Sequence, residues 1–335
     1  MKKWFSWMLK LSITFGMLWY IFTTTPFSEV IDSIALAKVS YIIVAMLIMA
    51  FTIYLEAYRM KILTDKQGMW LSMNQIIDIN LITNFYGLFL PGSIAGGAIR
   101  WHKLSQPNNK WMEAFASISF NRLIGTIVLV EVGILFWALD ANSRSNYMIG
   151  FILFAILGVL LITYVMVFDE KISCFLRENS RKFNLSLVPG VIRSKISKLL
   201  ISTGQYHGLS RSLLIYIFGL SLVSHLLGIL TFYLFALSLG INISFINIGW
   251  VRSFILIITM LPVSFAGLGV REGTLIFLLQ PYGVSTTDAV ALSFLLFART
   301  LLLGGIGGIF EAKNLFLPNR CHPEIKEVDR GLERG

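Results

Sequence analysis

The chain has 335 residues, 56% of them hydrophobic and only 14% charged, with a mean hydropathy of +0.74. A soluble globular domain carries about 25% charged residues, and the apolar runs here recur along nearly the whole length, which excludes a single buried core and indicates a helical membrane protein. The net charge of +10 falls on no basic stretch with interleaved aromatics, so nucleic acid is not an expected partner. The surplus is read instead as basic loops on the cytoplasmic side of a membrane.

The chain opens on Met1-Lys2-Lys3 and an apolar run. That start mimics a secretory leader, but residues 21–28 hold Thr23, Thr24, Thr25 and Pro26 and lack a small-x-small cleavage site, so a retained first helix over 4–24 is expected. Further spans are predicted over 40–58, 112–138, 148–168, 213–239 and 288–311, each close to the ~20 residues a crossing requires. Two other apolar regions, 74–99 and 249–283, are interrupted by Pro and Gly.

Charges order these segments. Arg59, Lys61 and Lys66 follow the second span; Arg100, Lys103 and Lys110 follow the first broken segment; 169–212 is long, polar and basic; Lys313 and Arg320 follow the last span. The segments 25–39, 139–147 and 240–248 carry little positive charge. The positive-inside rule then predicts cytoplasmic N- and C-termini in the cytoplasmic (inner) membrane. Both flanks of 74–99 are basic, so it reads as a re-entrant hairpin from the cytoplasm. By the same logic 249–283 enters from outside, with Arg252 and Arg271 as exceptions. Counting alone leaves open eight spans instead of six spans plus two hairpins. Cys174 and Cys321 fall in cytoplasmic segments, so no disulfide is expected. His102, His207, His225 and His322 show no ligand spacing, so no metal or cofactor is expected. The end of the chain, 316–335, is charged and reads as a disordered cytoplasmic tail.

An internal repeat links the broken segments. Leu90-Pro91-Gly92-Ser93-Ile94-Ala95-Gly96-Gly97-Ala98-Ile99-Arg100 matches Leu261-Pro262-Val263-Ser264-Phe265-Ala266-Gly267-Leu268-Gly269-Val270-Arg271 without a gap at Leu, Pro, Ser, Ala, Gly and Arg. A helix with Phe-x-Arg follows each: Phe120-Asn121-Arg122 and Phe297-Ala298-Arg299. One domain over 1–315 is expected, with halves of about 1–140 and 145–312. An odd number of full spans per half makes the halves inverted, an arrangement that puts a binding site at their interface near mid-membrane.

The chemistry follows from these residues. Pro removes a backbone donor and Gly permits tight turns, and freed backbone groups are tolerated in hydrocarbon only against protein or a wet cavity. Asn84, Pro91, Gly92, Gly96, Gly97, Pro262, Gly267 and Gly269 are therefore candidates to line a cavity suited to phosphate. Close helix packing through small residues is the alternative. Arg122 lies about 15 Å along its span, and Arg299 is central in its own. A mid-membrane arginine marks either a site or a buried ion pair, with Glu131, Glu272 or Glu311 as the acids on offer. Arg271 and Glu272 either face the cavity or form a solvated hairpin end. Asn80 and Asn84 share a helix face; Glu56 and Arg59 read as a solvated interface pair; His225 reads as a packing residue. Gly304, Gly305, Gly307 and Gly308 read as a packing face.

Asn84 with Pro91-Gly92, Gly96-Gly97 and Arg100, then Arg122, then Pro262, Gly267-Leu268-Gly269-Val270-Arg271-Glu272 and Arg299 resemble the lysylphosphatidylglycerol synthase transmembrane-region family, also called the flippase-like domain family, over about 1–315. The resemblance implies a bacterial or archaeal membrane protein linked to moving an aminoacylated phospholipid. In longer members a soluble C-terminal domain performs the aminoacyl transfer; the chain stops at Gly335 soon after its last helix, so that activity is not expected here. The expected function is translocation of a phosphate-bearing lipid, a phospholipid or a polyprenyl-linked lipid, with Arg100, Arg122, Arg271, Arg299 and Glu272 at the headgroup and no catalytic residues. No nucleotide-binding loop is present, so a gradient or mass action would drive it. The alternatives are a membrane-embedded lipid-modifying transferase, for which Glu272 is the one acid nominated, and an accessory subunit partnered with a lipid-modifying enzyme.

Overall fold

A computed structural model of the chain describes residues 16–17, 19, 21, 23, 25–89, 93–141, 147–168, 206, 209–261 and 267–316. Regular structure among these residues is helical throughout. A short α1, Phe27–Ala35, precedes α2, Val39–Lys66. Two shorter helices follow, α3, Met73–Phe89, and α4, Ser93–Ser105, then the long α5, Trp111–Leu139, and α6, Tyr147–Phe168. The second half holds α7, Arg211–Ser238, the short α8, Phe245–Met260, and α9, Val270–Leu279, and finally α10, Thr286–Phe316.

Five of these helices are long and apolar enough to cross a membrane: α2, α5, α6, α7 and α10. The α6 sequence is apolar on every side, and Met148, Phe151, Phe154, Val159 and Ile162 stand exposed along it, as suits a helix solvated by lipid. The expected first span over 4–24 falls largely outside the described residues, as do most of the basic loop 169–212 and the tail. Within 25–39, expected as a connecting loop, the chain forms α1, which follows Pro26 and packs against α10.

Local chemistry sets the helix starts. Ser72 and Gln75 cap α3 reciprocally, with Ser72 N donating to Gln75 Oε1 at 2.8 Å and Gln75 N to Ser72 Oγ at 3.3 Å. Ser210, Ser244 and Ser285 each accept from the backbone N–H three residues on, at the starts of α7, α8 and α10. In both broken regions two consecutive helices, each shorter than the ~20 residues of a span, pack against each other: α3 with α4, and α8 with α9. Each second arm ends in a one-turn 3-10 helix with proline, Gln106–Asn108 and Gln280–Tyr282, followed by a left-handed residue, Asn109 at φ 52° and Gly283 at φ 75°. The likeness of the two segments thus extends past the motif that reveals it.

The most extensive helix contacts are α2 with α7, α3 with α10, and α5 with α8. Each joins the first half of the chain to the second. The α3–α10 contact depends on Gly307, where an added Cβ would lie 2.0 Å from the Leu81 carbonyl oxygen. Leu88 and Phe85 press likewise on Gly304 and Gly308, while Gly305 faces open space. A large apolar core around Phe136, Phe232, Phe235 and Trp250 closes one end of the bundle. Its polar anchor is Asp140, which accepts from Trp250 Nε1 at 3.0 Å and from the Tyr282 hydroxyl. At the other end Tyr206 stacks on Phe120 with centroids 4.6 Å apart. Its hydroxyl donates to the Leu63 carbonyl at 3.2 Å and meets Ser117 Oγ at 2.8 Å.

Candidate functional site

Between the halves lies a cavity of about 630 Å³. It is bounded by α2, α3, α4, α5, α7, α8 and α10, at the level of the middles of the long helices: Arg122 on α5, His225 on α7 and Arg299 on α10 all line it. Among the described residues five arginines border this space, Arg59, Arg100, Arg122, Arg252 and Arg299, and Glu56 is the one acid in the lining. Inserting an arginine at mid-membrane costs about 2.5–3.5 kcal/mol on insertion scales, so five around one cavity in a bundle of membrane-length helices are a heavy electrostatic load for a fold to carry. Arg122 and Glu56 are exposed, so the cavity is open to its surroundings.

Arg59, Arg100 and Arg299 are each held by neutral groups. Arg59, itself buried, donates from Nε to Asn121 Oδ1 at 2.7 Å and from Nη1 to Ser221 Oγ. Arg100 donates from Nη2 to Asn80 Oδ1. Arg299 donates from Nε to Met49 Sδ at 2.9 Å, a weak acceptor. Arg252 occupies space left by Gly228, where a Cβ would come within 2.1 Å of Nη2. No carboxylate among the described residues comes within 4.0 Å of Arg59, Arg100, Arg252 or Arg299. The Arg100 Nε and Arg252 Nη1 atoms are buried without a hydrogen-bond partner among those residues. His225 donates from Nε2 to the Gly125 carbonyl at 2.8 Å, an acceptor that fixes which ring nitrogen carries the hydrogen.

The structure brings most of the expected residues to this one place. Arg100, Arg122, Arg299, Asn84, Gly96, Gly97 and Gly267 line the cavity. Pro91, Gly92 and Pro262 lie outside the described residues. Gly269 sits apart, at φ 80° before α9. Arg271 and Glu272 also stand away from the cavity. The structure places them not at a solvated hairpin end but in a buried ion pair, Arg271 Nη2 to Glu272 Oε1 at 2.7 Å. Ser293 of α10 completes the group, accepting from Arg271 Nε at 2.7 Å and donating to Glu272 Oε1 at 2.6 Å. Glu272 Oε2 accepts from Gly269 N at 2.6 Å, and Arg271 lies 5.5 Å over the Phe297 ring. This set pins the second broken segment to α10. Another of the acids on offer, Glu311, is held instead by Lys103 Nζ at 2.6 Å and Tyr86 OH at 2.8 Å.

Glu56, Arg59, His225 and Arg252 are the site residues that sequence reasoning placed elsewhere. Ending the second span at 58 put Arg59 at a solvated terminus, whereas α2 runs on to Lys66 and carries Arg59 inside the bundle. The usable signal was the Glu56/Arg59 spacing, which puts both on one helix face. Arg252 was visible as an exception to the charge rule; it is exceptional because it faces the cavity and not the surface. Among the described residues no cluster of three or more His, Cys, Asp or Glu able to hold a metal ion occurs.

The family described as "Lysylphosphatidylglycerol synthase TM region" matches residues 7–308. No curated protein matches the chain.

Proposed function

The chain belongs to the lysylphosphatidylglycerol synthase TM region family, and on that premise we propose that it is a translocase moving a phosphate-bearing lipid across the cytoplasmic membrane. The family ties the chain to lipid handling or synthesis in a membrane. The observation that carries the finer reading is the cavity in which five arginines face one glutamate at mid-helix depth. Such a field binds an anion and repels a cation. Guanidinium forks match phosphate oxygens, and a mid-membrane position suits a headgroup in passage, with its tails left in lipid.

In this reading the halves are inverted repeats and both termini face the cytoplasm. The α3–α4 and α8–α9 pairs act as alternate gates on either side of a fixed site, the arrangement of transporters with paired broken helices. Lys103–Glu311 fastens the first pair to α10, and the Arg271–Glu272–Ser293 set fastens the second, so α10 is the frame against which each pair moves. Headgroup translocation in proteoliposomes tests the proposal, with lipids that differ in headgroup charge.

A further inference from the structure

Helix α10 borders two hollows. It presents Arg299 and Thr300 to the arginine-lined cavity, whereas Phe294, Phe297 and Leu301 line a separate groove of about 330 Å³ together with Phe27, Ile31 and Ile34 of α1. The α10 residues recur at i, i+3 and i+7, a single stripe of the helix. Every described residue that lines the groove is apolar. Ile31, Ala298 and Leu301 are exposed, so the groove opens to its surroundings. Two polar residues of α1 are tied instead to the start of α10: Ser33 Oγ donates to Asp288 Oδ1 at 3.2 Å, and Glu29 Oε2 accepts from Thr287 Oγ1 at 3.3 Å. We propose that the groove holds one acyl chain of a bilayer phospholipid, and that this chain, packed on Phe297, supports the buried group that fastens α9 to α10.

The medium decides the occupant. Leu301 is the middle residue of α10, a helix long and apolar enough to cross a membrane, and the middle of such a helix lies in hydrocarbon. Left empty there, the groove forfeits dispersion contacts along its walls. A lipid tail is as apolar as the lining, so no hydrophobic force drives α1 and α10 together to close the gap. A polar group would find no hydrogen-bond partner among these side chains and would be costly to place there. An acyl chain meets neither obstacle. Phe297 gives its presence a consequence. The Arg271 guanidinium lies over that ring, 5.5 Å from its centroid, and Ser293, one turn earlier on α10, accepts from Arg271 Nε at 2.7 Å. A chain packed on Phe297 therefore backs the surface on which Arg271 rests, at the first turn of α9. The groove shares no lining residue with the arginine cavity, and the inference stands apart from the translocase reading.

The test is photolabelling of the purified full chain in nanodiscs holding one protein each, built from phosphatidylcholine with a diazirine in its acyl chain, followed by peptide mass spectrometry. Wild type is expected to carry at least about fivefold more label on 27–34 and 294–301 than on the exposed face of α6. Ala298→Trp enlarges an exposed groove residue to fill the hollow, and is expected to lose that excess while keeping the α6 label. Thermal unfolding in detergent is the second measurement. Adding the same phosphatidylcholine is expected to raise the wild-type Tm by at least about 2 °C more than that of Ala298→Trp or Arg271→Met. Equal label on the groove and α6 overturns the bound chain and leaves ordinary annular lipid. A groove that stays unlabelled while α6 is labelled overturns it also, because protein then covers the groove. An excess of groove label with the same lipid-driven rise in Tm for Arg271→Met overturns the support of α9. None of these outcomes decides whether the protein moves a headgroup, which the translocation assay reads separately.

Discussion

Gly228 of α7 and Arg252 of α8 are complementary: a side chain at 228 would begin 2.1 Å from the guanidinium of Arg252, a residue that lines the cavity. The glycine is a socket for a site residue. Gly228→Leu is therefore expected to displace Arg252, abolish headgroup binding and cost about 1–3 kcal/mol of stability through overpacking. Gly219→Ala on the same helix, where nothing lies within 4 Å, is expected to leave both unchanged. Binding and thermal unfolding measured on the two variants separate the socket from a general intolerance of α7.

The buried pair Arg271–Glu272 gives a prediction about stability alone. Removing one partner leaves a charge buried without compensation, so Arg271→Met or Glu272→Leu is expected to cost about 3–5 kcal/mol. Replacing both together is expected to cost less than the two single changes added, because no charge is then stranded. A double-mutant cycle on thermal stability reads this coupling. Additive costs would mean the pair does not brace the α8–α9 segment as described.

Gly307 and Gly305 differ by two positions and face different surroundings. Gly307→Ala is expected to push α10 away from α3 at the Leu81 carbonyl and to destabilise by about 1–3 kcal/mol, while Gly305→Ala is expected to be neutral or slightly stabilising. Thermal unfolding of the two variants in the same detergent checks the contrast.

Tyr206 supplies a pH dependence. Burial, partly offset by its hydrogen bonds, pushes its phenol from 10.0 up to about 12. The folded protein therefore holds the proton more tightly than the unfolded chain. The associated stability is fully present below pH 10 and lost as pH rises through about 12. Tyr206→Phe is expected to flatten that alkaline loss and, at neutral pH, to cost about 1 kcal/mol for the lost bonds to Ser117 and Leu63. Thermal unfolding across the alkaline range measures both.

Much of this arrangement is legible in the sequence. Long apolar runs mark α2, α5, α6, α7 and α10, because a span is a matter of length and composition. The paired Pro/Gly segments mark the two broken regions, and the Phe-x-Arg pairs place Arg122 and Arg299. Burial of a polar group in a long helix is less visible. Arg59 read as a helix end because charge was taken to stop a span, yet Asn121 and Ser221 hold it inside. Arg271 and Glu272 stand in the most recognisable string of the chain, and that prominence suggested a ligand role. Their partners are each other and Ser293, a residue whose closeness depends on how α10 packs and leaves no local trace.

The measurement that tests the central claim most directly is headgroup translocation in proteoliposomes containing fluorescent anionic, zwitterionic or polyprenyl-phosphate lipids. Wild type is compared there with Arg122→Ala and Arg299→Ala. The account predicts that wild type moves a phosphate-bearing anionic class and that each variant slows it at least about tenfold while remaining folded. Folded wild type that moves none of the lipids, or variants that move them as fast as wild type, would contradict it.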